Sequence, residues 1–184
     1  RRVLFDRYQL KDVVVKVVGI GSVGTRCFVA LFMTADGDPL LLQIKEARNS
    51  VLEPYAGKSE YHKHGERVVV GQRLTQSSSD VFLGWMRGPK GKDFYVRQLR
   101  DMKVSFSVQD ITPTRLKRYA IYCGQALARS HAKSGNAALI SGYLGKSDVF
   151  DEAVSLFAMD YADQNRRDYE ELVQAAKTGK IVAA

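Results

Sequence analysis

Cysteine is scarce in this chain of 184 residues, which has only Cys27 and Cys123. Neither lies in a Cys-x-x-Cys pair or next to a histidine, so the sequence indicates neither a disulfide scaffold nor a zinc site. Both fall among apolar neighbours, one in a predicted strand and the other in a predicted helix. We therefore expect buried free thiols in a reducing cytoplasm.

Long hydrophobic runs are also missing. No stretch approaches the roughly 18 uninterrupted apolar residues of a membrane span, and the N-terminal segment lacks the apolar core of a signal peptide. We expect a soluble, cytoplasmic protein with no membrane partner. The chain starts at Arg1 without an initiator methionine, so we also expect a processed product or one piece of a longer protein.

The sequence shows no familiar hydrolytic or metal-binding motif. It has three histidines, and the spacing of His62 and His64 suits a metal only with further ligands, which are absent nearby in the sequence. We interpret these two as solvated or helix-capping residues, and His131, near the end of a predicted helix, as structural. Without a Gly-x-Ser-x-Gly, a His-Glu-x-x-His or a Cys-His set, no catalytic residue and no metal site is predicted.

Positive charge is in excess, with a formal net charge of +8. This balance suits an anionic partner such as a nucleotide, a phosphorylated substrate or nucleic acid. The basic residues are dispersed along the chain, however, and form no dense basic tail. Nucleic acid is therefore the less favoured of these partners.

The most informative motif is Gly-x-Gly-x-x-Gly at residues 19–24. In a dinucleotide-binding fold the third glycine opens a helix, whereas in a protein-kinase-like fold the loop joins two antiparallel strands and closes over phosphates. Residues 25–34 are rich in β-branched and aromatic side chains, which favours a strand. Asp36-Gly37 then predicts a hairpin turn before a second apolar run ending in Lys45. The order favours the kinase-like interpretation.

These residues are the candidate nucleotide-binding site. Glycines let the backbone N–H groups approach phosphate oxygens, and a lysine emerging from an apolar strand needs an anionic partner. A glutamate on the following helix would orient that lysine, and we prefer Glu66 to Glu60; Glu46, pointing to the opposite face, and Glu53 are weaker partners. The alternatives are a β-turn without a ligand and a solvated strand-end lysine. The predicted site comprises Gly19, Gly21, Ser22, Gly24, Lys45 and Glu66.

The remaining pattern predicts an α+β fold. Five strands are expected near residues 12–18, 25–34, 40–45, 81–86 and 94–99, with one helix at 61–76 between the third and fourth. A five-stranded antiparallel sheet plus one helix is the layout of a protein-kinase small lobe. We assign residues 1–103 to this small lobe with its glycine-rich loop.

Residues 104–184 are predicted to be a helical part of a larger lobe that is incomplete in this chain. Thr112-Pro113 predicts a capped helix start, and Ser134-Gly135 predicts its end. A second helix starts at Ser147-Asp148 and either breaks within residues 163–168 or runs on to Gly179. The aspartate that a kinase catalytic loop would have directly after His131 is absent and no convincing Asp-Phe-Gly motif follows, so a kinase catalytic loop is not recognisable.

Several sequence segments resemble an uncharacterised bacterial family called domain of unknown function 2252. The matching segments occur in the same order as in the family, and the match extends from about residue 10 to residue 170. They are KVVGIGSVGTRC at 16–27, LQIKEA at 42–47, SVLEPY at 50–55, GQRL at 71–74, DVFLGW at 80–85, FYVRQLRD at 94–101 and GYLGKS at 142–147. Members are usually about twice this length. The resemblance implies an upstream half carrying a Cys-Gly-Asp-x-His-x-x-Asn-like segment and an Asp-rich segment, in an arrangement similar to a circularly permuted kinase.

We therefore expect this chain to bind ATP in a kinase-like manner, with Mg as the accompanying ion. It would be the C-terminal part of an ATP-dependent phosphotransferase of unknown acceptor. Gly19, Gly21 and Gly24 would cover the phosphates, and Lys45 would contact them. Because the catalytic elements would lie upstream, activity of this chain alone is uncertain. The alternative is a non-catalytic interaction domain that binds an acidic partner or nucleic acid.

Overall fold

The structure is a computed structural model that describes residues 6–17, 19, 24–100 and 111–181. The chain separates into two compact units, Arg1–Gly135 and Asn136–Ala184. The boundary predicted between residues 103 and 104 lies outside the described residues and stays a prediction.

A five-stranded antiparallel sheet forms the first unit, in the spatial order β1, β2, β3, β5, β4. This confirms the predicted α+β layout of an antiparallel sheet followed by helices. The strands are β1 (Gln9–Val15), β2 (Cys27–Met33), β3 (Pro39–Ala47), β4 (Gly84–Arg87) and β5 (Asp93–Gln98).

The β2–β3 hairpin is the most locally determined part of the sheet. Gly37 has φ +90°, a left-handed conformation that glycine adopts without strain. The Thr34 hydroxyl and carbonyl accept hydrogen bonds from the N–H groups of Asp38 and Gly37, at 3.0 and 3.2 Å. The turn predicted from Asp36-Gly37 is confirmed, and it sets a register in which Cys27 lies opposite Lys45.

The start of the fourth strand differs from the prediction. Residues 81–83 were expected to be strand, but β4 starts only at Gly84. Asp80 is the reason: its Oδ1 accepts from the Phe82 N–H at 2.8 Å, and its carbonyl accepts from the Leu83 N–H at 3.1 Å. Aspartate at the first position of a turn competes with strand formation in this way.

A short helical turn, α1 (Glu53–Ala56), and the longer helix α2 (His64–Thr75) connect β3 to β4. The α2 helix starts three residues later than predicted, where Asp93 of β5 accepts the His64 N–H at 2.8 Å. A carboxylate at this end also suits the helix dipole. Arg73 Nη2 donates to the Leu83 carbonyl at 2.6 Å and ties the other end of α2 to the segment before β4.

The core lies between α2 and the sheet and between the strands themselves. Val69 of α2 and Leu83 are fully or almost fully buried, at 0 and 1% exposure. The other buried apolar residues are Cys27, Ala30, Leu40, Leu42, Ala47 and Phe94. Cys27 is thus the buried free thiol that was expected. Cys123 is exposed, so that expectation was wrong for the second cysteine, because it lies on an uncovered face of its helix.

Helix α3 (Pro113–Ser134) completes the first unit. The predicted cap is confirmed, since the Thr112 hydroxyl accepts from the Arg115 N–H at 3.4 Å. The predicted end is also confirmed, with the Gly135 N–H bonded to the His131 carbonyl at 2.8 Å. Apolar residues along this helix remain accessible, and Leu127 is 58% exposed.

The second unit contains α4 (Ala137–Leu144) and α5 (Val149–Lys177). The sequence did not predict α4, whose start is capped by Asn136, with its Oδ1 accepting from the Leu139 N–H at 3.0 Å. Helix α5 is continuous through residues 163–168, where Gln164 donates to Asp168 and accepts from Arg167, each at 2.7 Å. These spacings stabilise the helix at the place where a break was considered.

No helix among the described residues has the length and apolar content needed to cross a membrane.

Candidate functional site

The glycine motif lies between two paired antiparallel strands. Strand β2, and no helix, follows Gly24, and the Lys16 N–H donates to the Cys27 carbonyl at 2.8 Å where β1 and β2 approach the motif. A dinucleotide-binding turn requires a helix at this point. Gly21 and Ser22 lie outside the described residues, so their place in the site stays a prediction.

Gly24 and Gly19 are both described and both solvent-exposed. Gly24 has φ +74°, which strongly favours glycine. A Cβ built at either position would meet no atom within 4 Å. The backbone conformation therefore explains the glycine at residue 24, and the space around both residues is open.

Lys45 lies near the end of β3, between two strands. Its partners across the sheet are Cys27 of β2 and Tyr95 of β5. Side chains at directly opposed positions share one face with Cβ atoms about 5 Å apart. Lys45 is therefore half-buried beside the first residue of the strand that follows the glycine motif.

Helix α2, which carries Glu66, packs on the same face of the sheet as Lys45. The register aligns Lys45, Tyr95 and Trp85, and it places Asp93, two residues before Tyr95, on that face as well. Asp93 binds the start of α2, and a Cβ on Gly65 of α2 would approach Trp85 Cβ within 3.1 Å. Glu66 is half-buried on this helix.

The structure does not join Lys45 to Glu66. Within the part of the chain that is described, the ion pairs are those of Glu46 with Arg48 and Lys92, and none links Lys45 to a carboxylate. Lys45 and the helix that carries Glu66 therefore lie on the same face of the sheet, and no ion pair joins the two residues in the part of the chain that is described.

A polar row crosses this face next to Lys45. Gln43 is 5% exposed, its Nε2 donates to Cys27 Sγ at 3.6 Å, and its Oε1 accepts from Arg97 Nε at 3.4 Å. Burial raises the pKa of Tyr95 and Cys27 raises it further, against the opposing charge of Arg97. The sequence analysis missed Arg97, which only β3–β5 pairing brings to Gln43.

Glu46, next to Lys45 in the sequence, projects from the opposite face, as the alternation of a strand predicts. Its side chain is only 4% exposed. Oε1 accepts from Arg48 Nε and from Lys92 Nζ, each at 3.1 Å, and Oε2 accepts from the Arg26 N–H at 3.2 Å. Glu46 was considered a weak partner for Lys45, and its bonds instead go to three other residues.

The pKa of Glu46 reflects two opposed causes. Desolvation by burial raises the pKa, while hydrogen bonds from Lys92, Arg48 and the Arg26 backbone, with the charge of Arg48, lower it. The net result is a pKa below the ordinary value of 4.5. Glu46 is therefore held as a carboxylate that accepts from two charged side chains, Arg48 and Lys92, and from the backbone N–H of Arg26.

His62 and His64 line one surface depression together with Asp93. The His64 N–H is bound by Asp93 at the start of α2, and His131 accepts through its carbonyl at the end of α3. Among the residues with described positions, no group of three or more His, Cys, Asp or Glu side chains is arranged to hold a metal ion.

An open groove of about 940 Å³ lies between the end of α2, the end of β5 and α3. Arg97, Arg100 and Arg129 line it, with Asp80 as the acidic residue among its lining groups. Lys133 Nζ donates to the Gln76 carbonyl at 2.9 Å and links α3 to the end of α2 beside the groove. This surface suits an anionic group.

The comparisons with known proteins give a family without a described activity. The family described as an uncharacterized protein conserved in bacteria (DUF2252) matches residues 1–175. No curated protein and no solved structure matches the chain. Since the match covers almost the whole chain, this protein belongs to the DUF2252 family of uncharacterized bacterial proteins.

Proposed function

We propose that this chain is a kinase-like nucleotide-binding module that holds ATP with Mg, as the C-terminal part of an ATP-dependent phosphotransferase. The observation that carries the proposal is the register of β2 on β3. It places Lys45 opposite Cys27, three residues after Gly24. A glycine segment between antiparallel strands, with a lysine on the adjoining strand, suits the binding of a polyphosphate.

The site residues have distinct roles in this proposal. Backbone N–H groups of the segment with Gly19, Gly21, Ser22 and Gly24 surround the phosphates, as glycines allow close approach. The Lys45 ammonium neutralises phosphate charge. Glu66 is assigned the role of orienting Lys45, because α2, which carries Glu66, packs on the face of the sheet that carries Lys45.

Phosphate transfer needs groups beyond these residues. A carboxylate base and the ligands for Mg are assigned to the upstream Cys-Gly-Asp-x-His-x-x-Asn-like and Asp-rich segments that the family resemblance implies. Mg bound with ATP would neutralise charge between the phosphate oxygens. The two free cysteines fit a reducing cytoplasm as the site of action.

The proposal is tested by the thermal stability of the chain with and without Mg-ATP. A ligand that binds only the folded state at 100 times its Kd stabilises it by about 2.7 kcal/mol, so the melting temperature rises by several degrees. Lys45→Met should abolish the rise. Lys58→Met is the matched control, since Lys58 is an exposed lysine in the segment between α1 and α2, and it should retain the full rise.

A second candidate function is supported by the arginines of the groove. Three guanidinium groups on one surface suit an acidic protein or a nucleic acid. This function predicts no stabilisation by Mg-ATP in the same experiment. It predicts instead binding to single-stranded RNA or DNA that weakens steeply with salt and is lost in Arg100→Gln/Arg129→Gln.

A further inference from the structure

The glycine segment is attached to β3 through the residues that follow Lys45. The Glu46 N–H donates to the Arg26 carbonyl at 2.8 Å, and the Glu46 carboxylate accepts from the Arg26 N–H at 3.2 Å. Arg26 is therefore held by both the backbone and the side chain of one residue. This reciprocal pairing sets the position of residues 24–26, where the glycine segment enters β2.

Arg48 adds a second attachment at the same place. Its Nη2 donates to the Gly24 carbonyl, and its Nε donates to Glu46 Oε1 at 3.1 Å. A guanidinium can make both bonds at once because its donors are arranged as a rigid fork. The last glycine of the motif is thus connected by one side chain to the carboxylate next to Lys45.

Helix α2 is connected to the same arginine. Arg67, which follows Glu66 on α2, donates from Nη2 to the Arg48 carbonyl at 2.7 Å. The backbone of Arg48 therefore contacts the helix that carries Glu66, while its side chain contacts the glycine segment. Arg48 lies between the three parts of the proposed nucleotide site.

We infer that Glu46 and Arg48 are positioning residues that hold the Gly24 end of the glycine segment against the end of β3 that carries Lys45, and that they support binding of the phosphates of the nucleotide. The inference rests on the proposed function and adds a device to the same site. Burial of Glu46 keeps this device rigid: its side chain is 4% exposed, and a buried carboxylate needs all its donors. Lys92 supplies the third donor from the turn before β5.

The two residues act on phosphates and leave the nucleoside untouched. Gly24 and Arg26 lie at the segment proposed to surround the phosphates. Loss of Arg48 should therefore weaken Mg-ATP binding and spare adenosine binding. A general loss of stability would lower both affinities together, so the ratio of the two affinities distinguishes positioning from a structural role.

The test measures the Kd of Mg-ATP and of adenosine by titration calorimetry for the 184-residue chain and its variants. Arg48→Gln should weaken Mg-ATP about tenfold, as expected for one charge-assisted hydrogen bond, and change the adenosine Kd less than about twofold. Because the Arg48 side chain is 54% exposed, this variant should fold. Glu46→Gln should show the same selective loss for Mg-ATP.

Arg118→Gln is the matched control. Arg118 is an exposed arginine of α3 and lines neither the groove nor the surface around Glu46 and Arg48. It should leave both Kd values unchanged. Equal weakening of ATP and adenosine in Arg48→Gln, or no weakening, would overturn the inference while leaving nucleotide binding in place. A wild-type chain that binds neither compound would overturn the proposed function and the inference together.

Discussion

Lys45 and Glu46 are consecutive residues with opposite surroundings. Strand alternation directs Lys45 to the face that α2 covers and Glu46 to the other face. Lys45 has no carboxylate partner among the residues that the structure describes, whereas Glu46 has three donors. The Lys45 ammonium is therefore available to bind an added anion, whereas the Glu46 carboxylate already accepts hydrogen bonds from its three donors. In the proposed function, Lys45 is therefore the binding residue and Glu46 a positioning residue.

The depressed pKa of Glu46 predicts how stability changes with pH. Since the pKa in the folded protein lies below 4.5, the ionised carboxylate stabilises the fold above that pH. This stabilisation is lost as the pH falls through the lower folded-state value. Urea unfolding should therefore show a difference in unfolding free energy between wild type and Glu46→Gln that is constant near neutral pH and shrinks below about pH 4.5.

Lys92→Met provides the control for this pH dependence. The hydrogen bond from Lys92 is one of the causes that lower the pKa of Glu46. Without it the pKa in the folded protein moves up towards the unfolded-state value, so the loss of stability below about pH 4.5 should be smaller than in wild type. An identical pH profile in wild type, Glu46→Gln and Lys92→Met would contradict the assignment of the buried carboxylate.

At the scale of elements, helix α2 packs closely on β5 at Gly65 and has open space around Gly71. A methyl at Gly65 would overlap the carbonyl oxygen of Phe94, while a methyl at Gly71 would meet no atom within 4 Å. Both glycines lie in the same helix, between His64 and Thr75. Close packing of α2 on β5 therefore depends on glycine at only one of these two positions.

These two glycines give opposite predictions for one substitution. Gly65→Ala should destabilise the chain by roughly 1–3 kcal/mol, because the added methyl forces α2 away from β5. Gly71→Ala should stabilise it by about 0.5–1 kcal/mol, because alanine has the better helix propensity. Chemical denaturation of both variants measures the difference, and equal effects would contradict the described packing of α2.

Local signals explain which elements the sequence predicted. The hairpin at Gly37 and the cap at Thr112 depend on neighbouring residues, so their sequence patterns suffice. The late start of β4 depends on the side chain of Asp80, which also accepts the Gln98 N–H at 2.6 Å. Asn136, directly after the glycine that ends α3, caps the start of α4. The sequence Ser134-Gly135-Asn136 indicates the end of one helix and gives no separate signal for the helix that follows.

The site was predictable only where it follows the order of the chain. Residues 19–24 and Lys45 form a sequence motif, and the β2–β3 register was implied by the hairpin. Glu46 bonds to Arg26 and Lys92, which lie 20 and 46 positions away from it in the sequence. Such partners depend on strand pairing and no local pattern indicates them. Strand pairing likewise brings together Arg97 and Gln43, which are 54 positions apart in the sequence.

At the scale of the whole molecule, polar and apolar surfaces are distributed unevenly. The sheet unit buries its core under α2 and presents the groove with Arg97, Arg100 and Arg129. In the second unit, the apolar residues of α5 remain accessible, with Phe157 at 65% exposure. The chain has a net charge of +8. Both candidate anion sites, the one at Lys45 and the arginine-lined groove, lie in its sheet unit.

The most direct test of the account is labelling of lysines by an acyl-phosphate derivative of ATP. This reagent transfers its acyl group to an amine held close to the terminal phosphate, and mass spectrometry identifies the modified lysine. We expect modification of Lys45 that excess Mg-ATP prevents, with exposed Lys58 modified weakly and without protection. Modification spread over surface lysines, with Lys45 unmodified or unprotected by Mg-ATP, would contradict the proposal that this chain holds a nucleotide at Lys45.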